Sequence, residues 1–119
     1  MTNGLFIYGD AVYTQCWYIP ENVQTYAKVA AYYKKLFPDA RVNVCIIPTS
    51  AIKIDNEEIK SQLADQEAIF NSMEEIMSDP AILEGQEINF INTYYEMYAH
   101  RDEHIYFKSD HHWTQRGAY

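Results

Sequence analysis

Apolar and polar positions along the chain change period several times, and the changes predict alternating strands and helices. Leu5-Phe6-Ile7-Tyr8 is a short apolar run, Gly9-Asp10 supplies turn chemistry, and Val12 to Tyr18 is a second aromatic and β-branched run. The three together read as a β-hairpin. From Pro20 to Phe37 the apolar residues Val23, Tyr26, Ala27, Ala30, Tyr33 and Phe37 recur at helical spacing. Glu21 lies in the first turn, Lys34 and Lys35 in the last, and Pro38 beyond, which is the charge and breaker pattern of a complete helix. Arg41 to Ile47 carries Val42, Val44, Cys45, Ile46 and Ile47 almost without interruption, as in a strand covered on both faces.

Further along, Asp55 is placed to cap a short helix containing Ile59 and Leu63, and Asp65 to cap a second one. In that second helix Ile69, Phe70, Met73, Ile76 and Met77 share one apolar stripe, which suits a core face. Asp79-Pro80 punctuates the chain, Gly85 closes a brief turn, Ile88 to Ile91 reads as a strand, and Thr93 to His100 as a Tyr-rich amphipathic helix. A last strand, Ile105-Tyr106-Phe107, runs straight into Asp110-His111-His112-Trp113. This order predicts an α/β fold with a mainly parallel sheet, in a single domain spanning residues 1–119 without repeats or linkers.

Composition narrows the partners. With 48% hydrophobic and 22% charged residues among 119, the chain has the make-up of a globular domain. A net charge of −8 and only nine Lys and Arg speak against nucleic acid, because phosphate binding needs clustered cations to displace counterions. No apolar run approaches the ~20 residues that span a bilayer, and Met1-Thr2-Asn3-Gly4 lacks the basic-then-apolar pattern of a secretion signal. Cys16 and Cys45 either pair or stand as two buried thiols. The second reading is preferred, since free cysteine is among the most buried residue types and two are too few for a disulfide framework.

The candidate chemistry gathers near residue 110. A serine or cysteine nucleophile needs a base within hydrogen-bond reach and a third group that fixes the base's tautomer. Asp110 and His112 fit these two roles: in an extended segment residues two apart project to one side, so the carboxylate can hold one imidazole nitrogen while the other faces a substrate. His111 would then point elsewhere. Trp113 anchors the loop by packing, and Thr114 caps a helix running through Gly117. The position after a strand agrees with active sites at the carboxyl ends of α/β sheets. The bland alternative is a turn capped by Asp110, with one histidine on the surface and the other a satisfied polar group beneath Trp113. Asp110, His111, His112, His104 and His100 are also potential metal ligands. No Cys pair or His-Glu-x-x-His spacing supports zinc, so neither metal nor cofactor is expected. The Asp-His-His string resembles the signature of manganese phosphoesterases named for those letters, whose further aspartate motifs are not found here.

Asn3-Gly4-Leu5-Phe6-Ile7 with Gly9-Asp10, the exit Ile47-Pro48-Thr49-Ser50, Asp65-Gln66, and above all Tyr106-Phe107-Lys108-Ser109-Asp110-His111-His112-Trp113-Thr114 with Gly117-Ala118-Tyr119 resemble the DHHW protein family. That family is similar to the alginate O-acetyltransferase proteins of the SGNH-hydrolase-like superfamily. The resemblance implies a three-layer α/β fold and serine esterase or O-acyltransferase chemistry on hydroxyls of cell-surface polysaccharides in bacteria, in an extracytoplasmic or surface setting. It places the triad acid and base at Asp110 and His112, and the serine in a part of the domain that follows the motif. Residues 1–119 are then expected to be the N-terminal portion of such a domain, inactive alone, and prone to dimerise or to pair with its remaining part.

Five serines lie at positions 50, 61, 72, 78 and 109. Ser50 is the best placed substitute nucleophile, at the carboxyl end of the buried strand, though it reads first as a turn residue after Pro48. Ile7-Tyr8-Gly9-Asp10 imitates the nucleophile block of SGNH hydrolases, but Ala11 stands where the serine would be. Three functions stay in play. The first is the Asp–His half of an esterase or acyltransferase. The second is a non-catalytic carbohydrate-binding or interaction domain on a degenerate hydrolase scaffold, stacking Tyr and Trp on sugar rings. The third, more distant, is a metal-dependent phosphoesterase.

Overall fold

A computed structural model describes residues 4–119. In chain order the elements are strands β1 (Leu5–Tyr8) and β2 (Ala11–Thr14), helix α1 (Pro20–Leu36), strand β3 (Asn43–Ile46) and a 3-10 turn over Ser50–Lys53. They continue through helices α2 (Glu57–Lys60), α3 (Gln66–Met77) and α4 (Pro80–Leu83), strand β4 (Asn89–Asn92), and helices α5 (Tyr94–Ala99) and α6 (Gln115–Ala118). The fold among the described residues is mixed α/β, with two two-stranded sheets and six α-helices. Contacts gather in two compact units, one of residues 4–17, 47–66 and 93–119, the other of residues 18–46 and 67–92.

In the second unit β3 and β4 pair in parallel, Val44 opposite Phe90 and Ile46 opposite Asn92. A run read as covered on both faces is covered on one: Val44 and Ile46 are half-buried, while Asn43 and Cys45 are exposed. Asn89 Nδ2 donates to Asn43 Oδ1 at 3.0 Å on the open side. Both cysteines are free thiols, but only Cys16 is partly covered, so two buried thiols is corrected to one half-buried and one exposed. Burial raises the Cys16 thiol above its usual pKa.

Helix α1 starts on Pro20, which needs no N–H in the first turn, and ends where Lys34 Nζ donates to the carbonyls of Pro38 (2.7 Å) and Ala40 (2.8 Å). It buries a face of small residues, Val23, Ala27, Ala30 and Ala31, and leaves Tyr26, Tyr33 and Phe37 of the expected stripe in solvent. The α3 stripe is a core face as expected. Ile69, Phe70, Met73 and Met77 are buried, and Ile76 is half-covered; each fully buried side chain of this size stabilises by about 1.5–3 kcal/mol. Asp79-Pro80 does more than punctuate, because Asp79 Oδ1 accepts from the Ala81 N–H at 2.9 Å and starts α4.

The first unit is built around the hairpin. Tyr8 pairs with Ala11 and Phe6 with Tyr13, and Gly9 takes the first loop position with φ +61°, as tight primed hairpin turns require. The Phe6 and Tyr13 rings stack across the strands at 5.6 Å. Strand β2 stops at Thr14 rather than Tyr18. Its outward amides are both satisfied: the Val12 N–H donates to Lys108 O at 2.7 Å and the Thr14 N–H to Ser50 Oγ at 3.1 Å. The cap of α2 is Asn56, whose Oδ1 accepts from the Ile59 N–H at 3.1 Å, not Asp55; Asp55 meets Arg101 Nε at 3.3 Å instead.

The expected last strand, Ile105 to Phe107, is reduced to one antiparallel bridge between Tyr106 and Trp113. A mainly parallel sheet running into the motif is therefore corrected to one parallel pair, one antiparallel hairpin and an isolated bridge. Physically, Ile105 and Tyr106 are apolar because they are core, 2% and 4% exposed, and not because a ladder continues through them.

Candidate functional site

Residues 107–112 form a bent loop whose two ends are pinned. The Phe107 N–H donates to His112 O at 3.2 Å, and the Thr114 N–H to Ile105 O at 2.9 Å. The Tyr106 hydroxyl donates to the Pro48 carbonyl, and burial raises its pKa. On the outer side, Lys108 holds the loop to the hairpin through its carbonyl on Val12 and its ammonium on Asp10. That anchor escaped the sequence reading, since a pair this far apart in the chain has no local signature.

Thr114 caps α6, the helix that contains Gly117. Thr114 is buried; its hydroxyl donates to His104 O at 2.7 Å and accepts from the Gly117 N–H at 3.2 Å, capping α6. A Cβ on Gly117 would lie 2.4 Å from the Ile105 carbonyl oxygen, so α6 can approach the frame of the loop only with glycine there. Trp113 is half-buried beside its bridge to Tyr106.

Between these supports Asp110 and His112 meet. His112 Nδ1 lies 2.7 Å from Asp110 Oδ1, and the His112 backbone N–H donates to the same oxygen at 3.1 Å. Those two bonds, the backbone one foremost, hold the Asp110 carboxyl below its ordinary pKa. An ionised carboxylate only accepts, so in the neutral imidazole His112 donates from Nδ1 and leaves the lone pair on Nε2. The pair sits in solvent, with side chains 50% and 64% exposed. His111 does not point elsewhere: its Nδ1 is 3.4 Å from the same Asp110 oxygen, and its ring centroid is 4.1 Å from that of His112. Alternation by two holds in an extended strand and fails in a bent loop.

The other singled-out residues lie apart from this trio. Ser50 is 2% exposed and lines a cavity of about 240 Å³ with Lys53, His104, Tyr106 and Lys108, to which Asp110 and His112 do not contribute. Lys53 donates to the carbonyls of Arg101 and Glu103, and burial lowers its pKa. Ser61 and Ser78 donate to helical carbonyls, and Ser72 pairs with the Tyr18 hydroxyl at 2.7 Å. His100 is bound between Glu96 (3.2 Å) and Glu103 (2.7 Å), while Arg116 also pairs with Glu103. Glu103 is brought down to about 2, by Arg116 first and His100 second.

A mixed α/β protein with an accessible, oriented Asp–His pair is the class this geometry defines. The sequence profile of the DHHW proteins covers residues 2–119, and the chain belongs to the DHHW protein family. Neither the curated proteins nor the solved structures compared with the chain include a match. Among the described residues no helix is long and apolar enough to cross a membrane.

Proposed function

We propose that this chain carries the acid–base half of a serine esterase or O-acyltransferase acting on acylated polysaccharide hydroxyls. His112 is the general base and Asp110 the residue that orients it. The observation that carries this reading is the 2.7 Å contact of His112 Nδ1 with an Asp110 oxygen that the His112 backbone N–H also fixes. With Nδ1–H committed to Asp110, Nε2 is left to take the proton of an attacking hydroxyl and return it to the leaving group, a contribution of roughly 10²–10⁴ in rate. Of the five serines, those at positions 50, 61, 72 and 78 are bonded to other partners and Ser109 directly precedes Asp110 in the chain, so the nucleophile is proposed to come from sequence outside residues 1–119. The reading also takes the fold to be of the three-layer SGNH-hydrolase type, which the parallel β3–β4 pair in one unit with α1 suits. The test is aryl acetate hydrolysis by the full-length protein. His112→Ala should lower kcat by at least about 10², and an unchanged rate would defeat the assignment.

A second reading, a carbohydrate-binding domain on a degenerate hydrolase scaffold, is favoured by one observation. Helix α1 exposes Tyr26, Tyr32 and Tyr33 at 61%, 60% and 53%, rings able to stack on sugars. Glycan binding that survives Asp110→Ala and His112→Ala, in a full-length protein without esterase activity, would select it.

A further inference from the structure

The acid–base reading uses Asp110 and His112 and leaves His111 without a task. Its Nδ1 is nevertheless turned to the same Asp110 oxygen as that of His112. The donor atoms of Asp110, His111 and His112 all lie within 4.8 Å of one another, and all three residues are exposed. Cations bound at about 2.1 Å to nitrogen and oxygen hold neighbouring donors about 3.4 Å apart in a tetrahedron and about 3.0 Å apart in an octahedron. The separations from Asp110 Oδ1, 2.7 Å to His112 and 3.4 Å to His111, bracket those values.

Adjacent histidines seldom converge on one ion because consecutive side chains diverge along regular backbone. Here the bent loop, closed by the Tyr106–Trp113 bridge and the Phe107–His112 bond, brings both rings to one carboxylate. We propose that Asp110, His111 and His112 bind a borderline dication of the zinc type, through one carboxylate oxygen and two imidazole nitrogens, with its remaining positions open to water. Two imidazoles and a carboxylate are a donor set that zinc accepts, and the chain's charge of −8 favours a cation.

The consequence for His112 rests on the acid–base reading. In the metal-free pair Nδ1 carries the proton and Nε2 the lone pair. A metal on Nδ1 needs the lone pair there and sends the proton to Nε2, the nitrogen that would act as base. The two states exclude one another, so the ion switches the base off.

The test is calorimetric titration of metal-stripped protein with ZnCl₂, which needs no substrate. One zinc per chain is expected, with affinity reduced at least about tenfold in His111→Ala and in Asp110→Asn. His100→Ala should bind as wild type, which controls for the separate Glu96–His100–Glu103 cluster. Circular dichroism establishes that each variant is folded, and a shift of the His111 and His112 ring nitrogens in NMR on zinc addition gives an independent readout. No saturable binding, unchanged affinity in His111→Ala, or loss of binding in His100→Ala would overturn the site. Because the titration is independent of ester hydrolysis, zinc binding with no hydrolysis by the metal-stripped protein removes the enzyme reading alone, and activity without zinc binding removes this site alone.

Discussion

Ser50 and His112 lie in the same unit, and each carries a group that acyl chemistry uses, but the fold treats them in opposite ways. Ser50 is 2% exposed and its oxygen accepts the Thr14 amide on the open edge of the hairpin. The His112 side chain is 64% exposed and bonds within its own loop, to Asp110. A hydroxyl engaged by backbone at a sheet edge satisfies a donor that would otherwise be costly; Ser50 is a poor nucleophile because it is buried and because neither Asp110 nor His112 lines the cavity it faces. An imidazole held by one nitrogen in solvent gives the fold little and keeps its second nitrogen free. Exposure and bonding partners, more than residue type, separate the scaffold from the site.

The contrast can be broken by substitution. The largest loss of stability is expected for Gly117→Val, which drives a Cβ against the Ile105 carbonyl at 2.4 Å and should cost about 1–3 kcal/mol or more by overpacking. A urea midpoint equal to wild type would show that α6 does not need this close approach. Next, Ser50→Ala strands the Thr14 N–H and should cost about 1–3 kcal/mol, while the aryl acetate hydrolysis proposed above, measured per folded molecule, should stay as in wild type. Activity lost at full stability would restore Ser50 as the nucleophile.

A smaller effect follows from His100. Hydrogen bonding to Glu103, then its charge, raises the His100 pKa. A base with a raised folded pKa contributes stability that is full below its unfolded value and is lost as pH rises through the folded one. The stability difference between wild type and His100→Gln should thus be greatest below about pH 6.5 and shrink at higher pH. A difference independent of pH would contradict the pairing. The smallest effect is on the site itself: His112→Ala should change unfolding free energy by no more than about 0.5 kcal/mol, as for other exposed substitutions. A large loss would make His112 a scaffold residue like Ser50.

Local rules carried the reading of the hairpin, of α1 and of the α3 stripe, because turn glycine, helix punctuation and apolar spacing all act within a few residues. The parallel β3–β4 partners were legible as separate strands. Other features depend on what lies opposite, and the run from Arg41 to Ile47 does not reveal that one of its faces is open. Ile105 and Tyr106 look like a strand because the core is apolar, although only a single bridge forms there. Within the site, the pairing of Asp110 with His112 was expected on the premise of an extended segment, whereas the contact forms in a bent loop. The inward turn of His111 and the Lys108 anchor on Asp10 and Val12 arise from the bend of the loop and from distant chain, which periodicity does not encode.

In the proposed acid–base pair Asp110 sets the tautomer of His112 and leaves Nε2 as the base. Nitrogen-15 NMR of the imidazole rings in zinc-free protein, near neutral pH, reads this directly. Wild type should show neutral His112 as the Nδ1–H tautomer, and Asp110→Ala, which removes the acceptor, should raise the Nε2–H population. A neutral His112 ring carrying its proton on Nε2 in wild type, or one unchanged by Asp110→Ala, would contradict this.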